Sequence, residues 1–490
     1  MRAPPKKRGR KVAPAIAARL NARVTLEAQA DGNVAARFDG YVVGLGRFST
    51  EAMDRVQDLR SGLPLASFSR PGKKVIDREI DLLIRRLAER GLLEYRLGRA
   101  RGNDDLVVIE PQMPDYWPQM PKLRDSETIV LSRFAYLRRR GNGIVLESPR
   151  ASALFSICDP RVAAAIATLS APQKIGQLRQ QAGFPGMELL GLLLDCKMLF
   201  KIAAKDGDGR RANEGDENLV LWDFHDLLFH THSTEGRQAN PLGGLYPYAD
   251  VMAPLPAVRS YWPGAKIDLI PLSDAVRETT SPYAKLLSER HSTRDFDDQQ
   301  PITLAELAQF LESTARVQSS WTSKLEFDGD GPEIAYTTRP YPAAGSAYEL
   351  ELYLNVANCE GLERGFYHYD ADRHALVAID ARPQELDAQL AAAEFAMDAP
   401  ASPQILITIA ARFGRISWKY SSIAYSLILK DVGVLTQALY MMATDMGLGG
   451  CAIGTSNIDL FAKMTGIDFH VEGPVGQFAL GRGMPPGASG

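Results

Sequence analysis

A short apolar run followed by a long apolar helix constrains the fold of this chain more than any other segment. Residues 404–411 are mainly aliphatic and lie between Pro403 and Gly414, as is typical of a strand covered on both faces. Over residues 422–446 apolar side chains recur at helical spacing, and Gly447 supplies a left-handed stop. The repeating positions are Ile423, Leu427, Leu435, Leu439, Met442 and Met446. We therefore expect an inner strand of a sheet that packs against this helix.

Lys419 and Tyr420 stand between these two elements, at the predicted N-terminal edge of the helix. The positive end of the helix dipole and a neighbouring ammonium would both favour a tyrosinate over a neutral phenol. The pair therefore indicates a tyrosine that can act as a base. The alternative is an ordinary lysine and a half-buried tyrosine at the start of a helix, with the ammonium group in solvent.

Length and composition indicate a globular protein of several domains. The 490 residues suggest roughly three domains, and 45% hydrophobic with 23% charged residues is typical of soluble proteins. No apolar run approaches the ~20 residues of a membrane span, so we expect a cytoplasmic protein without a membrane partner. The four cysteines lack CxxC spacing and indicate neither a zinc ribbon nor a disulfide framework.

The first 30 residues carry most of the positive charge. Eight Lys and Arg stand against one Glu in residues 1–30, although the net charge of the whole chain is -3. The opening RAPPKKRGRK also contains Pro and Gly, a composition that cannot bury a core. We expect residues 1–30 to be a disordered tail. Its basic run could neutralise phosphates without reading sequence, but a solvated tail is the favoured interpretation.

Two later segments share a helix-then-strand outline. Residues 77–97 predict a helix, a glycine stop and a strand, and residues 187–202 repeat the pattern. Each resembles the last helix and the wing of a winged-helix unit. The simplest division is into two small winged-helix-like units, residues 31–115 and 116–203.

A predicted hairpin supports the second of these units. Residues 128–137 and 144–147 read as strands around the turn formed by residues 140–143, Arg-Gly-Asn-Gly. Winged helices bind DNA or peptides, so the fold alone does not identify the ligand. Because the inner helices are not strongly basic, binding to nucleic acid is disfavoured.

A larger α+β domain follows a linker. Residues 204–218 contain hardly any apolar side chain beyond alanine and predict the linker. In residues 219–490, the segment 348–356 alternates like a strand and 365–380 reads as a hairpin. Helices are expected over 304–311 and 383–393, and the class is therefore α+β.

Three motifs of this domain suggest binding of a flat phosphorylated ligand. Arg290, Ser292 and Arg294 alternate, so an extended backbone would direct two guanidiniums and a hydroxyl to one side as a phosphate clamp. The loop 342–346 has small side chains that allow a ligand to approach the backbone, and GLGGCAIGT, residues 447–455, offers a second such loop. The alternatives are a solvated strand edge, a plain turn and a helix C-cap.

A metal site is not predicted. His225, His230 and His232 cluster in LWDFHDLLFHTHS, but no carboxylate or cysteine group completes a site, and the flanking apolar residues read as a packed helix. The chain has no Walker A loop, GxGxxG fingerprint or GxSxG elbow.

Taken in order, these motifs resemble the SagB-type (McbC-like) dehydrogenases, a branch of the nitroreductase-like FMN enzymes. The matching elements are FHDLLFH, ERHSTRDF, RPYPAAGSAYELELY, GFYHYD, the triplet WKY and GLGGCAIG, which cover most of residues 219–482. The N-terminal units resemble the peptide-clamp, winged-helix units of longer members. The resemblance implies a C-terminal nitroreductase-like domain that oxidises thiazolines or oxazolines to thiazoles or oxazoles in ribosomally made peptides.

The resemblance also implies a role for individual residues. Tyr420, assisted by Lys419, would remove a ring proton while N5 of FMN accepts a hydride. The flavin would lie at a homodimer interface, and the substrate would be an azoline-containing precursor peptide made by a partner cyclodehydratase. The implied FMN-binding residues are Arg290, His291, Ser292, Arg294, Pro342, Ala343, Ala344, Gly345, Ser346, Cys451, Ala452, Ile453, Gly454, Thr455 and Arg482.

The chain departs from the family pattern in the loop before the strand. The usual YPSGGxxYP has Ala343 and Ala344 in place of Ser and the first Gly, and Glu349 in place of the second Pro. The lost hydroxyl removes one hydrogen bond of order 1 kcal/mol. Two rival functions stay open: a general NAD(P)H-dependent nitroreductase-like oxidoreductase, and a winged-helix binding module without catalysis.

Overall fold

The computed structural model divides into two compact units, one formed by residues 1–232 with 236–240 and the other by residues 233–235 with 241–490. The residues that the structure describes are 16–29, 32–38, 41–65, 75–98, 105–181, 184, 186–202, 214–235, 246, 248–259, 263–276, 281–327 and 329–484. The basic run of the predicted tail and most of the predicted linker lie outside these residues.

The first unit is rich in strands. Its strands are β1 Ile16–Leu20, β2 Thr25–Ala28, β3 Asn33–Phe38, β4 Tyr41–Arg47, β5 Leu63–Pro64, β6 Leu93–Gly98, β7 Asp105–Pro111, β8 Thr128–Leu131, β9 Tyr136–Arg140, β10 Gly143–Glu147, β11 Ala153–Ile157, β12 Gln173–Lys174 and β13 Leu199–Ile202. Its helices are α1 Thr50–Val56, α2 Val75–Glu89, α3 Pro160–Thr168, α4 Ile175–Leu178, α5 Met187–Asp195 and α6 Phe224–His232. Two 3₁₀ turns span Gln57–Arg60 and Glu217–Leu221.

The two predicted winged-helix units share one sheet. Its order is β5-β1-β6-β7-β11-β10-β9, and β7 pairs with β11 so that Ile109 lies opposite Phe155. One hydrophobic core also contains side chains from both predicted units, among them Leu83 and Leu190. The two winged-helix units are therefore not confirmed, because the pairing of β7 with β11 joins strands that are far apart in the sequence.

Part of the predicted tail is ordered as strand. Ile16, Ala18 and Leu20 bury alternate side chains of β1, which pairs with β6. The prediction of disorder across residues 1–30 is wrong for β1 and β2, since the basic opening masked this short alternating run. The predicted hairpin is formed by β9 and β10, whereas β8 belongs to a separate sheet with β12 and β13.

The second unit is built around a six-stranded antiparallel sheet. Its strands are β14 Ser319–Phe327, β15 Gly329–Thr338, β16 Leu350–Val356, β17 Gly365–Asp370, β18 Ala375–Ile379, β19 Ile405–Arg412, β20 Gly449–Ile453 and β21 Glu472–Gly481. Its helices are α7 Ile270–Val276, α8 Pro282–Glu289, α9 Leu304–Ala315, α10 Pro383–Met397, α11 Phe413–Ser417, α12 Ala424–Asp445 and α13 Ile458–Thr465. A 3₁₀ turn spans Ala344–Ser346. The α+β class predicted from the sequence is confirmed.

The predicted inner strand is β19. The sheet order is β18-β17-β16-β19-β21-β20, with Ile407 of β19 opposite Leu354 on one side and Phe478 on the other. Its first seven residues are buried, because neighbouring strands and helices cover the sheet. The separate ribbon of β14 and β15 pairs only with itself among the described strands.

The predicted long helix is α12. Leu435 and Leu439 are buried, and Gly447 follows with a φ of +66°, as the C-terminal stop requires. Ile423 is 51% exposed and precedes the helix, so its assignment to the core was wrong. No helix of the described residues is both long and apolar enough to cross a membrane.

Candidate functional site

Lys419 and Tyr420 follow the short helix α11. Both backbone N–H groups donate to the carbonyl of Ile416, at 3.0 and 2.9 Å. Three residues then separate Tyr420 from the start of α12, and one of them, Ser422, has a φ of +60°. The pair therefore closes α11 and does not occupy the first turn of α12. The predicted effect of the α12 dipole on Tyr420 therefore stays a prediction, since a helix dipole acts within about one turn of the helix end.

The structure brings this pair against the predicted loop of small residues. Lys419 Nζ donates to the Gly345 carbonyl at 3.0 Å and lies 5.5 Å from the ring centres of both Tyr420 and Tyr336. A Cβ on Gly345 would lie within 2.5 Å of Lys419 Nζ and closer still to the Tyr420 hydroxyl. Gly345 also has a φ of +54°. Glycine is therefore needed at this position for both conformation and space.

Asp431 holds the other side of the loop. Its Oδ2 accepts the backbone N–H of Ala344 at 2.8 Å, from a position within α12. The sequence gives no signal for this residue, because a single aspartate on a helix carries no motif. Lys419 and Asp431 together bind the backbone of two successive residues of the loop, Gly345 and Ala344, so the loop is held at both positions.

A second cluster forms around the predicted phosphate clamp. The Ser292 hydroxyl lies 2.8 Å from the Tyr440 hydroxyl, which also accepts the backbone N–H of Ala452 at 2.8 Å. The Arg290 guanidinium lies 5.1 Å from the centre of the Tyr440 ring. Thr293 N–H donates to the carbonyl of Gly450 at 2.8 Å. The structure thus joins the segment after α8 to β20 through Tyr440, a residue of α12 that belongs to none of the sequence motifs.

Close packing explains a glycine of the GLGG motif. A Cβ at Gly449 would lie 2.6 Å from Cγ2 of Thr293, and Thr293 belongs to the segment that carries the clamp. The close approach of the two backbones also allows the Thr293 N–H to donate to the carbonyl of Gly450 in β20. The motif is therefore a packing requirement as well as the end of α12.

The clamp can accept an anion. Arg290 is half-buried, Arg294 is exposed, and neither has a carboxylate partner among the residues that the structure describes. Burial raises the pKa of the Cys451 thiol, and nearby Arg294 opposes this shift. The thiol is therefore neutral, and two guanidiniums supply the charge that a phosphate would need.

The side chains of other predicted residues make different contacts. Arg482 directs its guanidinium at Glu306, with nitrogen to oxygen distances of 2.7 and 2.9 Å. His291 is exposed, and its Nδ1 lies 3.1 Å from the carbonyl of Glu289. Ile453 is buried in β20, while Gly454 is exposed and Thr455 half-buried beyond the strand. Their predicted contacts with a flavin stay predictions.

The two clusters lie on opposite faces of one helix. Asp431 and Tyr440 are nine residues apart in α12, which corresponds to about two and a half turns and about 14 Å along the axis. A single chain therefore presents the Lys419 and Tyr420 cluster on one side of α12 and the Arg290 and Ser292 cluster on the other.

Two family models match the chain. The model of the nitroreductase family matches residues 287–482, and the model described as cyanobactin oxidase ThcOx matches residues 129–239. The first match spans both clusters. The resemblance that the sequence motifs indicated is confirmed by these matches.

The chain is also similar to individual proteins and solved structures. A Methanocaldococcus jannaschii protein that carries the name nitroreductase MJ1384 is 31% identical over 169 residues, which are 34% of this chain and 76% of the relative. The structure of the Escherichia coli microcin synthetase McbBCD complex with truncated pro-MccB17 is 17% identical, covers 54% of this chain and 95% of that chain, and has a TM-score of 0.38. A nitroreductase from Desulfovibrio desulfuricans in complex with FMN is 14% identical, with 43% and 92% covered and a TM-score of 0.27.

Replacing Tyr440 with Phe tests the second cluster. The change removes the hydroxyl that accepts the Ala452 N–H and bonds to Ser292, and we expect the free energy of unfolding to fall by about 1 kcal/mol. Urea titration of the full chain measures this difference. The matched control is Tyr283→Phe, because the Tyr283 side chain is 57% exposed and has no hydrogen-bond partner among the described residues. Equal stability of the two variants would contradict the role given to Tyr440.

Proposed function

Because the chain belongs to the nitroreductase family, we propose that it is an FMN-dependent dehydrogenase that oxidises thiazolines or oxazolines to thiazoles or oxazoles in a ribosomally made peptide. The observation that carries this proposal is the packing of Lys419 and Tyr420 against the loop at Gly345. The match of residues 129–239 to a cyanobactin oxidase model supports a peptide substrate over a free small molecule.

The described residues fit an FMN. Arg290 and Arg294 have no carboxylate partner and would hold the phosphate, with the Ser292 hydroxyl between them in the sequence. The loop around Gly345 exposes backbone without bulky side chains, which suits the face of a flat ring. Bound FMN would supply the two-electron acceptor for the reaction.

Tyr420 is the proposed proton acceptor. Oxidation of an azoline to an azole removes one proton and one hydride equivalent from the ring, so a base must take the proton. Tyr420 is half-buried, and its hydroxyl faces the position that a Gly345 side chain would fill. The Lys419 ammonium next to it would balance the negative charge of a phenolate, and its bond to Gly345 keeps the ammonium in place.

The complete site would need two copies of the chain. Within one chain the two clusters face opposite sides of α12, and in this proposal a second subunit supplies one of them to each flavin. An apolar segment that a partner would cover supports this arrangement, since Tyr246, Val251, Leu255, Val258 and Ile267 are each more than 75% exposed. In this proposal the homodimer works in the cytoplasm on azolines made by a partner cyclodehydratase.

A second candidate function is a general NAD(P)H-dependent oxidoreductase. The name of the Methanocaldococcus jannaschii relative favours it, because that protein is called a nitroreductase. Such an enzyme would use the same two clusters for a flavin but would not need a peptide substrate.

An anaerobic visible spectrum distinguishes these functions. We expect purified full-length protein to show a flavin band that bleaches when an azoline-bearing peptide is added. A band that bleaches with NAD(P)H and ignores the peptide would support the general oxidoreductase. Absence of a flavin band from protein supplied with FMN would contradict both and favour a binding module.

Replacing Tyr420 with Phe tests the assigned base. The variant should retain the flavin band, because the hydroxyl has no predicted part in holding the phosphate, but the rate of bleaching by the peptide should fall at least about 100-fold. Tyr367→Phe is the control, since the hydroxyl of Tyr367 bonds to the Glu363 carbonyl away from the loop. Full turnover by the Tyr420 variant would rule out Tyr420 as the base.

Charged substitutions in the exposed apolar segment test the dimer. The double change Leu255→Asp and Val258→Asp should shift the sedimenting species from dimer to monomer and lower flavin content together, because burial of a carboxylate at an interface is unfavourable. Val75→Asp is the control, as Val75 is 74% exposed but lies in the first unit. A wild-type chain that sediments as a monomer with bound flavin would overturn the two-subunit site.

A further inference from the structure

Glu349 and Asp431 bring two carboxyl groups together beside the loop of residues 342–346. Glu349 directly precedes β16, and its side chain is fully buried. Asp431 lies in α12 and is 7% exposed. The two carboxyl groups lie within hydrogen-bonding reach of each other.

The hydrogen-bond partners of the pair are unequal. Oδ2 of Asp431 accepts the Ala344 N–H at 2.8 Å. Neither carboxyl oxygen of Glu349 makes a hydrogen bond of good geometry among the residues that the structure describes, although the backbone N–H of Glu349 itself lowers the pKa of the group. A buried carboxylate without a well-aligned donor is strongly unfavourable, and two ionised carboxylates in contact repel each other. One proton on Glu349 removes both problems, because the acid then donates to Asp431.

The groups around Glu349 do not replace that proton. Arg339 directs Nη1 to the Leu350 carbonyl at 3.0 Å, and its Nη2 lies 3.8 Å from Glu351. The buried hydroxyl of Tyr341, another neighbour, makes no hydrogen bond to Glu349. Burial raises the pKa of Glu349, Asp431 adds to this shift, and the positive charge of Arg339 reduces it only in part.

We propose that Glu349 and Asp431 share one proton, which Glu349 donates to Asp431, and that this pair positions the loop at Ala344 on the flavin side of the site. The role in flavin binding rests on the proposed function, whereas the sharing of a proton does not. With one proton present, the single negative charge of Asp431 remains available for the Ala344 N–H.

Loss of the proton would disturb the loop. When both groups are ionised, Asp431 and Glu349 repel, and the simplest relief moves Asp431 together with the Ala344 peptide. The next residue, Gly345, has no free space on the side of Lys419 and Tyr420. A shift of the loop is therefore transmitted to the pair that we assign to catalysis, and Glu349 is a positioning residue.

Three variants of the full chain test this proposal. Glu349→Gln keeps a neutral donor that cannot titrate, Glu349→Leu keeps the volume but removes the donor, and Glu363→Gln alters an exposed glutamate as the control. For each we would measure the dissociation constant of FMN by quenching of flavin fluorescence, and the melting temperature without FMN, between about pH 5 and about pH 8.5.

The signs of both effects follow from the raised pKa. Burial raises the pKa of Glu349 to about 7 from an ordinary 4.5, so wild-type stability falls as pH rises through this interval. The Glu349→Gln variant has no titratable carboxyl at this position, so its melting temperature should increase relative to that of wild type as pH rises. The dissociation constant of wild type relative to that of Glu349→Gln should increase about fivefold over the same range.

The remaining variants separate donor loss from general damage. Glu349→Leu should bind FMN about fivefold more weakly than Glu349→Gln at every pH, whereas Glu363→Gln should follow wild type in both measurements. Parallel pH profiles of wild type and Glu349→Gln in melting temperature would overturn the shared proton. If no chain binds FMN, the proposed function fails, and the melting profiles still decide whether the proton is shared. A changed melting profile with unchanged FMN affinity would overturn the positioning role alone.

Discussion

Pairing of β19 with β16 on one side and β21 on the other is the constraint on which the candidate site depends. Strand β16 begins directly after Glu349, which follows the small-residue loop. Helix α11 follows β19, and Lys419 and Tyr420 come shortly after this helix. Strand β21 pairs with β20, which begins within the GLGG motif. Each functional segment therefore leaves the end of a buried strand. Because side chains alternate across a strand, a shift in register by one residue would exchange the two faces of β19 and displace these segments together.

Buried polar groups give this pairing its specificity. Thr408 of β19 accepts hydrogen bonds from Gln389 of α10 and Gln477 of β21, and Asn355 of β16 donates to Gln389. Gln404, just before β19, accepts the N–H groups of Ile302 and Arg482. A slipped register would leave these groups buried without partners, at a cost of about 1–3 kcal/mol each. The core that buries the apolar side chains therefore also fixes the register of the strands, and with it the positions of the strand ends.

Helix α12 separates the two clusters of the candidate site. Asp431 holds the loop near Tyr420 on one face of the helix, and Tyr440 joins Ser292 to β20 on the opposite face. This division is the reason that the proposed flavin site includes a second subunit. It also places the Glu349 and Asp431 pair between the hydrophobic core and the loop, where a proton on a buried carboxyl can influence the geometry of exposed residues.

The sequence by itself determined the local elements and the chemically distinctive motifs. Periodicity located β19, the hairpin of β17 and β18, and α12 to within a few residues, and the motifs identified Lys419, Tyr420, Arg290 and Ser292. Only the tertiary structure decided which segments meet. It revealed Asp431 and Tyr440, paired the Arg482 guanidinium with Glu306, and merged two predicted units into one sheet through β7 and β11. The physical reason is that local spacing records which face of an element is apolar, whereas long-range pairing depends on side chains that are distant in the sequence.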